Sequence, residues 1–262
     1  MSVMRWLLAG LVTIGLPAQA MDVDLELVLA VDTSRSMDLD ELRLQREGYA
    51  AALEHPAVSS ALSQGKLGRA AILYFEWGGR GRHRLLVDWT LIEGPEDAAE
   101  VAAKLREASL GGLRGTSISG AMEQAAIWLD SNDYEGTRRV LDISGDGPNN
   151  RGRPVTEVRD ELAAKGIEIN GLPFMVKEPG GWYSIPDLDF YYEDCVISGE
   201  SAFVIPIFEM DRLVASIRQK LVLEISGLRP PATERIWRAS AADCLIGEKL
   251  RRQRELEWDW EN

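Results

Sequence analysis

Five oxygen-bearing side chains stand out by type and spacing. They are Asp32, Ser34 and Ser36 in Asp32-Thr33-Ser34-Arg35-Ser36, Thr116 closing Gly111-Gly112-Leu113-Arg114-Gly115-Thr116, and Asp146 in Ser144-Gly145-Asp146-Gly147. Carboxylates and hydroxyls are hard donors suited to a hard divalent cation; Mg²⁺ wants six oxygens at about 2.0–2.1 Å. An alternation of Asp, Ser and Ser can turn three oxygens to one side of a tight loop, and the glycines before Thr116 and around Asp146 permit tight turns. Each loop alone is also explained by helix capping or turn punctuation; the set of three points to a cation. The two histidines, His55 and His83, stand far apart and form no zinc-ligand pattern with cysteines or carboxylates.

These residues need strands and helices to hold them. Leu25–Val31 is a short apolar run that reads as a strand buried on both faces and ending at Asp32. Asp38-Leu39-Asp40-Glu41 has the acceptor-x-x-Glu form of a capping box, and Leu42, Tyr49 and Leu53 follow at helical spacing. Arg69–Trp77 is the second strand, broken by Gly78-Gly79-Arg80-Gly81 before a third run, His83–Trp89, so the pair reads as a hairpin. Arg80, Arg82 and Arg84 cluster there, as a solvated loop or as an anion contact. Gly94-Pro95-Glu96-Asp97 opens a helix to about Ala108, and Ser117–Asp130 is another. Then come a strand Arg138–Ser144, a helix Val155–Lys165 stopped by Gly166, a strand Ile167–Phe174, a last strand Ala202–Ile207 and a helix Met210–Ile225. Strands separated by helix-length segments imply parallel βαβ units. The fold class is therefore α/β: a Rossmann-like open, mostly parallel sheet with helices on both faces and one antiparallel edge hairpin. Such sheets bind ligands outside the carboxyl ends of their strands, where Asp32 and Asp146 fall.

The chain has 262 residues, 42 Asp plus Glu against 29 Lys plus Arg, and a formal charge of −13. That balance repels a phosphate backbone, so nucleic acid is excluded as a general partner, and an anionic membrane surface is disfavoured for the same reason. At 45% hydrophobic residues there is material for a sizeable core. Arg5 precedes an apolar run, Trp6–Leu16, followed by Pro17 and Ala18-Gln19-Ala20, the small-x-small form of a signal-peptidase site. The run has 11 residues, against roughly 20 for a bilayer-spanning helix. Residues 1–20 are thus expected to be a signal peptide, with no stable membrane insertion after cleavage. Cys195 and Cys244 are then an even pair in an oxidising compartment, outside any C-x-x-C arrangement, which predicts a structural disulfide. It would tie a C-terminal extension, residues 229–262, to the main domain, residues 21–228. Trp258 and Trp260 in that tail read as a frayed terminus rather than a docking element.

Asp32-x-Ser34-x-Ser36 after the first strand, Thr116 before a mid-chain helix and Asp146-Gly147 after a later strand resemble the metal-ion-dependent adhesion site of von Willebrand factor type A domains. The match in loop order and strand context spans about residues 22–228. Ile143-Ser144-Gly145-Asp146-Gly147-Pro148-Asn149-Asn150, with the exported length and late cysteines, resembles more narrowly a bacterial family of secreted type A-like proteins. The resemblance implies Mg²⁺, or Mn²⁺ or Ca²⁺, at the top of the sheet. Ser34, Ser36 and Thr116 would be hydroxyl ligands, Asp32 and Asp146 ligands directly or through water, and one position would stay open for an acidic side chain of a partner protein. Arg35 would stand at the rim, solvated or attracting a carboxylate. Asp142 would support the site or make a structural hydrogen bond, and Gly147, Asn149 and Asn150 would hold the third loop or contact the ligand.

Two carboxylates roughly neutralise a divalent ion and leave it electrophilic toward a third. The expected function is a secreted, periplasmic or extracellular, divalent-cation-dependent protein-binding module without catalytic residues. The alternatives are a metal-dependent hydrolase such as a phosphoesterase, and a structural domain of this type with an unoccupied site. The hydrolase reading has Arg35, Arg114 and Arg151 for a phosphate, but no His near the three loops and no Lys in them for proton transfer.

Overall fold

A computed structural model describes residues 20–34, 36–176, 184–230 and 240–261. Five strands, β1 (Met21–Asp32), β2 (Ala70–Trp77), β3 (His83–Ile92), β4 (Tyr134–Gly145) and β5 (Ile167–Pro173), form one sheet in the order β3-β2-β1-β4-β5. All neighbours are parallel except the β2–β3 hairpin at the edge. In β1, Leu25, Leu27, Leu29 and Val31 join one apolar layer while Val28 and Ala30 join the other. Successive strand side chains point to opposite faces, and with helices on both faces neither can be polar, hence the unbroken apolar run.

The first layer takes α1 (Leu39–Leu53), α2 (Pro56–Ser63), α3 (Pro95–Glu107) and α7 (Leu213–Ser226). The second takes α4 (Ile118–Leu129), α5 (Val155–Ala164) and α6 (Leu188–Tyr191), the last continuing into a π-helical turn over Tyr192–Val196. The capping box predicted at Asp38 forms: its Oδ1 accepts from the Asp40 and Glu41 N–H groups at 2.9 Å each, and Glu41 Oε2 accepts from the Asp38 N–H at 2.8 Å. Ser117 caps α4 and accepts from the Gly120 N–H at 3.1 Å. The spacing of Met21–Asp32 and these caps gives the predicted α/β architecture, with the single hairpin at the edge.

Several local expectations change. Residues 203–207 run parallel to β5, with Gly171 N–H donating to Phe203 O, Ile205 N–H to Gly171 O, Ile207 N–H to Pro173 O and Met175 N–H to Ile207 O (2.7–3.0 Å). The ladder's next donor would be the N–H that Pro173 lacks. The strand expected over Ala202–Ile207 is therefore two separate bridges, Gly171 with Val204 and Phe174 with Ile207. Met210–Arg212 is a 3₁₀ turn, so the helix predicted from Met210 begins at Leu213. The helix α2 has no counterpart in the sequence reading. It starts at Pro56, and His55 caps it, Nδ1 accepting from the Ala57 N–H at 3.1 Å. The polar tail read as a frayed end is a helix, α8 (Ile246–Glu261). The segment predicted to be a signal peptide lies outside the described residues, apart from Ala20, and among the described residues no helix is long and apolar enough to cross a membrane.

Cys195 and Cys244 are joined by a disulfide, their Cα atoms 5.4 Å apart. It links the π-helical turn to the residues just before α8. Around it, Asp194 Oδ2 accepts from the Ala242 N–H at 2.6 Å. With the cysteines 49 positions apart in sequence, the chain-entropy model assigns such a crosslink about 4 kcal/mol at most. The double variant C195S/C244S is expected to lose up to that amount in denaturant unfolding, with a lower Tm. An unchanged midpoint would show that the α8 segment is held by packing alone.

Candidate functional site

Four of the five predicted side chains meet in one hydrogen-bonded cluster at the carboxyl end of the sheet. Asp32 is fully buried; its Oδ1 accepts from the Ser34 N–H at 2.7 Å and its Oδ2 from the Ser34 hydroxyl at 3.1 Å. The Ser34 Oγ also lies 2.9 Å from Ser36 Oγ and 3.4 Å from Asp146 Oδ1, and Ser36 Oγ donates to the same Asp146 oxygen at 2.7 Å. The Ser34 hydroxyl therefore lies between two carboxylates, one at the end of β1 and the other just past β4. Burial pushes the Asp32 carboxyl well above the usual range, and the negative charge of Asp146 pushes it further; the Ser34 N–H and hydroxyl pull only partly against them.

Thr116 joins through its loop. The Leu113 N–H donates to Thr33 O at 2.7 Å, the Ser117 N–H to Gly78 O at 2.9 Å and the Asn150 N–H to Thr116 O at 3.2 Å, so the second loop is bonded to the ends of β1 and β2 and to the third loop. Thr116 itself is buried. A buried ion network fixes the chain just before it. Arg46 of α1 pairs with Glu76 of β2 and donates to the carbonyls of Ala108 and Ser109. Arg84 of β3 pairs with the same Glu76 and donates to Gly111 O at 3.1 Å. Charge-assisted bonds to backbone carbonyls hold the glycine-rich entry to Thr116, which has no regular structure of its own.

The third loop is fixed from several sides. Asn149 is buried; its Oδ1 accepts from the Ser119 N–H at 3.0 Å and its Nδ2 donates to Arg153 O at 3.0 Å and Glu248 Oε1 at 2.6 Å, while its N–H donates to the Tyr191 hydroxyl at 3.2 Å. The Asn149 side chain thus braces the loop, and Asn150 bonds to the second loop through its backbone N–H. The start of α8 packs on it closely: a Cβ at Gly247 would collide with Asn149 O and stand 3.3 Å from Pro148 Cγ. Gly147 is buried in the same loop. Gly145 is equally constrained, since a Cβ there would stand 2.8 Å from Tyr192 Oη and 3.1 Å from Asp32 Oδ2. Tyr192, on the π-helical turn, is a neighbour of the site that sequence reasoning missed, for nothing in its local pattern points there. Its hydroxyl is buried without a hydrogen-bond partner among the described residues, and burial, then the charge of Asp32, holds its proton on. Arg35 lies outside the described residues.

Asp142 takes the structural role. It faces the α1–α7 layer, fully buried, and pairs with Lys220 at 2.7 Å; Lys220 also pairs with Glu224, which accepts from Asn170 Nδ2 at 3.0 Å. Asp146 lies past the strand end and turns to Ser36 instead, so the face shared by strand periodicity does not carry Asp142 into the cluster. Burial, then the charge of Asp142, pushes Glu224 from 4.5 up to about 7 against the pull of Lys220. The folded state therefore binds this proton more tightly than the unfolded chain, and the stability it contributes is fully present below pH 4.5 and lost as pH rises through about 7. In E224Q, which removes that titration, the fall in stability between about pH 4.5 and 7 should flatten, as measured by chemical denaturation. A slope equal to the parent's would assign the dependence to another group.

Comparison with known proteins places this geometry in context. No curated protein sequence matches the chain. Among solved structures, the pilus adhesin SpaC from Lactobacillus rhamnosus GG matches at TM-score 0.58 and 12% identity, covering 81% of this chain and 31% of its own. Proximal thread matrix protein 1 from the mussel byssus, solved with a zinc-occupied MIDAS motif, matches at TM-score 0.53 and 14% identity over 79% of this chain and 47% of its own. A von Willebrand factor type A protein from Catenulispora acidiphila matches at TM-score 0.51 and 15% identity over 76% of this chain and 42% of its own. The chain thus spans a third to a half of the length of these proteins, and at such identities the likeness is one of fold. The family model described as "Protein of unknown function (DUF1194)" matches residues 22–229, almost the whole of the sheet and its helices, and the chain belongs to that family, whose fold is that of the von Willebrand factor type A domain.

Proposed function

We propose that the protein is a secreted binding module in which Asp32, Ser34, Ser36, Thr116 and Asp146 hold Mg²⁺, or Mn²⁺ or Ca²⁺, and leave one position for an acidic side chain of a protein partner. The observation that carries this reading is the Ser34 hydroxyl set between the Asp32 and Asp146 carboxylates. Two carboxylates drawn together at a buried point repel one another, and a divalent cation relieves that repulsion while finding only hard oxygen donors around it. The cation would supply a local positive charge on a protein whose formal charge is −13, and so a point of attraction for a carboxylate. Support for a binding rather than a catalytic role comes from the histidines, the readiest general bases: His55 caps α2, and His83 packs edge-on against the Trp128 ring at 5.5 Å. The adhesin and the zinc-bearing matrix protein show the same fold serving attachment and metal binding in other proteins.

Calorimetric titration with Mg²⁺, Mn²⁺ and Ca²⁺ tests the metal. At a concentration of 100 times Kd the ion should stabilise the fold by about 2.7 kcal/mol, and D32A and D146N should abolish both the heat of binding and this stabilisation while circular dichroism stays native. Affinity capture from an envelope extract, run with Mg²⁺ and with chelator, then tests the partner. Metal binding retained in both variants would overturn the assignment of the site, and capture indifferent to chelator would overturn the metal-bridged contact.

A further inference from the structure

Beside the three loops lies a second feature of opposite charge. The β2–β3 turn, the loop ahead of α4, the chain after Asn150 and α8 border a half-open hollow of about 550 Å³, lined by Arg80, Arg82, Arg114, Arg151 and Arg251 with three glycines and no carboxylate; all of these arginines but Arg251 are solvent-exposed. Several other arginines on this acidic protein are matched: Arg106 with Glu47 and Glu54, Arg139 with Asp130, Arg153 with Glu161. Among the described residues, the guanidinium groups of Arg80, Arg82, Arg114 and Arg151 have neither an ion-pair nor a hydrogen-bond partner. Arg251 pairs with Glu255 at 2.6 Å, and its Nε is buried without a hydrogen bond. The glycines let the arginine stems lie close to the floor; the Arg151 Cδ passes 3.1 Å from where a Cβ of Gly115 would stand.

Gathering like charges in one hollow is unfavourable unless something of opposite charge neutralises them. Each guanidinium presents a planar fork of N–H donors that fits a phosphate in bidentate fashion, and the volume is that of a small-molecule site. The lining holds no aromatic ring on which a base could stack. We propose that this cavity binds a compact polyanion of two or three linked phosphates, without a nucleobase. The proposal uses none of the five residues of the metal cluster and does not rest on that reading.

The test is titration of the full chain with inorganic triphosphate, pyrophosphate, orthophosphate and ATP in buffer freed of metal by a chelating resin. Triphosphate is expected to bind at least tenfold tighter than orthophosphate and no more weakly than ATP. R114A and R151A should each weaken it at least tenfold. The exposed R252A, which removes the same charge from the next position of α8, should change it less than twofold, and D146N should leave it as in the parent. Absence of saturable binding, equal losses in R252A and R114A, or ATP binding clearly tighter than triphosphate would overturn the proposal. Loss of binding in D146N would fold the cavity into the metal site and overturn its independence.

Discussion

Asp32 ends the central strand of the sheet with its carboxylate withdrawn from water, and a buried carboxylate is costly unless donors or a cation surround it. Much of the surrounding structure answers that demand. Ser34, two residues on, gives both its N–H and its hydroxyl, and the same hydroxyl lies within reach of Asp146 at the end of the neighbouring strand. The second carboxylate makes ionisation of the first harder rather than easier. Tyr192 crowds in from the π-helical turn, and Gly145 has no room for a side chain between the two. Neutral donors therefore orient Asp32 without neutralising it.

The loops that bring these groups together carry little secondary structure, and their positions are set by ion networks buried beneath them. Glu76 lies between Arg46 and Arg84, and the two guanidinium groups reach past it to the carbonyls of Ala108, Ser109 and Gly111. A backbone segment with no strand or helix to satisfy its carbonyls gains the partners it needs from side chains on three other elements. On the same face, Lys220 joins Asp142 to Glu224 and ties β4 to α7. Removing one member of such a network would leave the others charged and unmatched in a poorly polarisable surrounding, so each network behaves as a unit.

The C-terminal segment completes the third loop rather than trailing from it. Glu248 accepts from Asn149, and Gly247 lies against the Asn149 backbone. The disulfide at Cys244 brings α8 to this position. The same helix contributes Arg251 to the arginine-lined cavity. One short helix thus touches both the brace of the acidic cluster and the edge of the basic hollow.

The alternation of apolar runs and amphipathic stretches was sufficient to give the α/β sheet, its edge hairpin and most helices, because burial on two faces and helix capping leave their marks in neighbouring residues. The same holds for the cluster of Asp32, Ser34, Ser36 and Asp146 and the loop of Thr116, whose residue types and places after strands reveal common membership before any coordinates. What neighbouring residues could not reveal depended on distant ones. The last strand breaks into bridges because a proline sits in its partner strand, and Asp142 turns to a lysine of α7 instead of to Asp146. Tyr192 reaches the site, and five arginines from four segments meet in one cavity, only once the chain is packed. Local sequence thus determined which elements form and which oxygens end the strands. Tertiary packing alone decided which charges are buried with a partner and which are gathered without one, because that balance depends on distances between residues far apart in the chain.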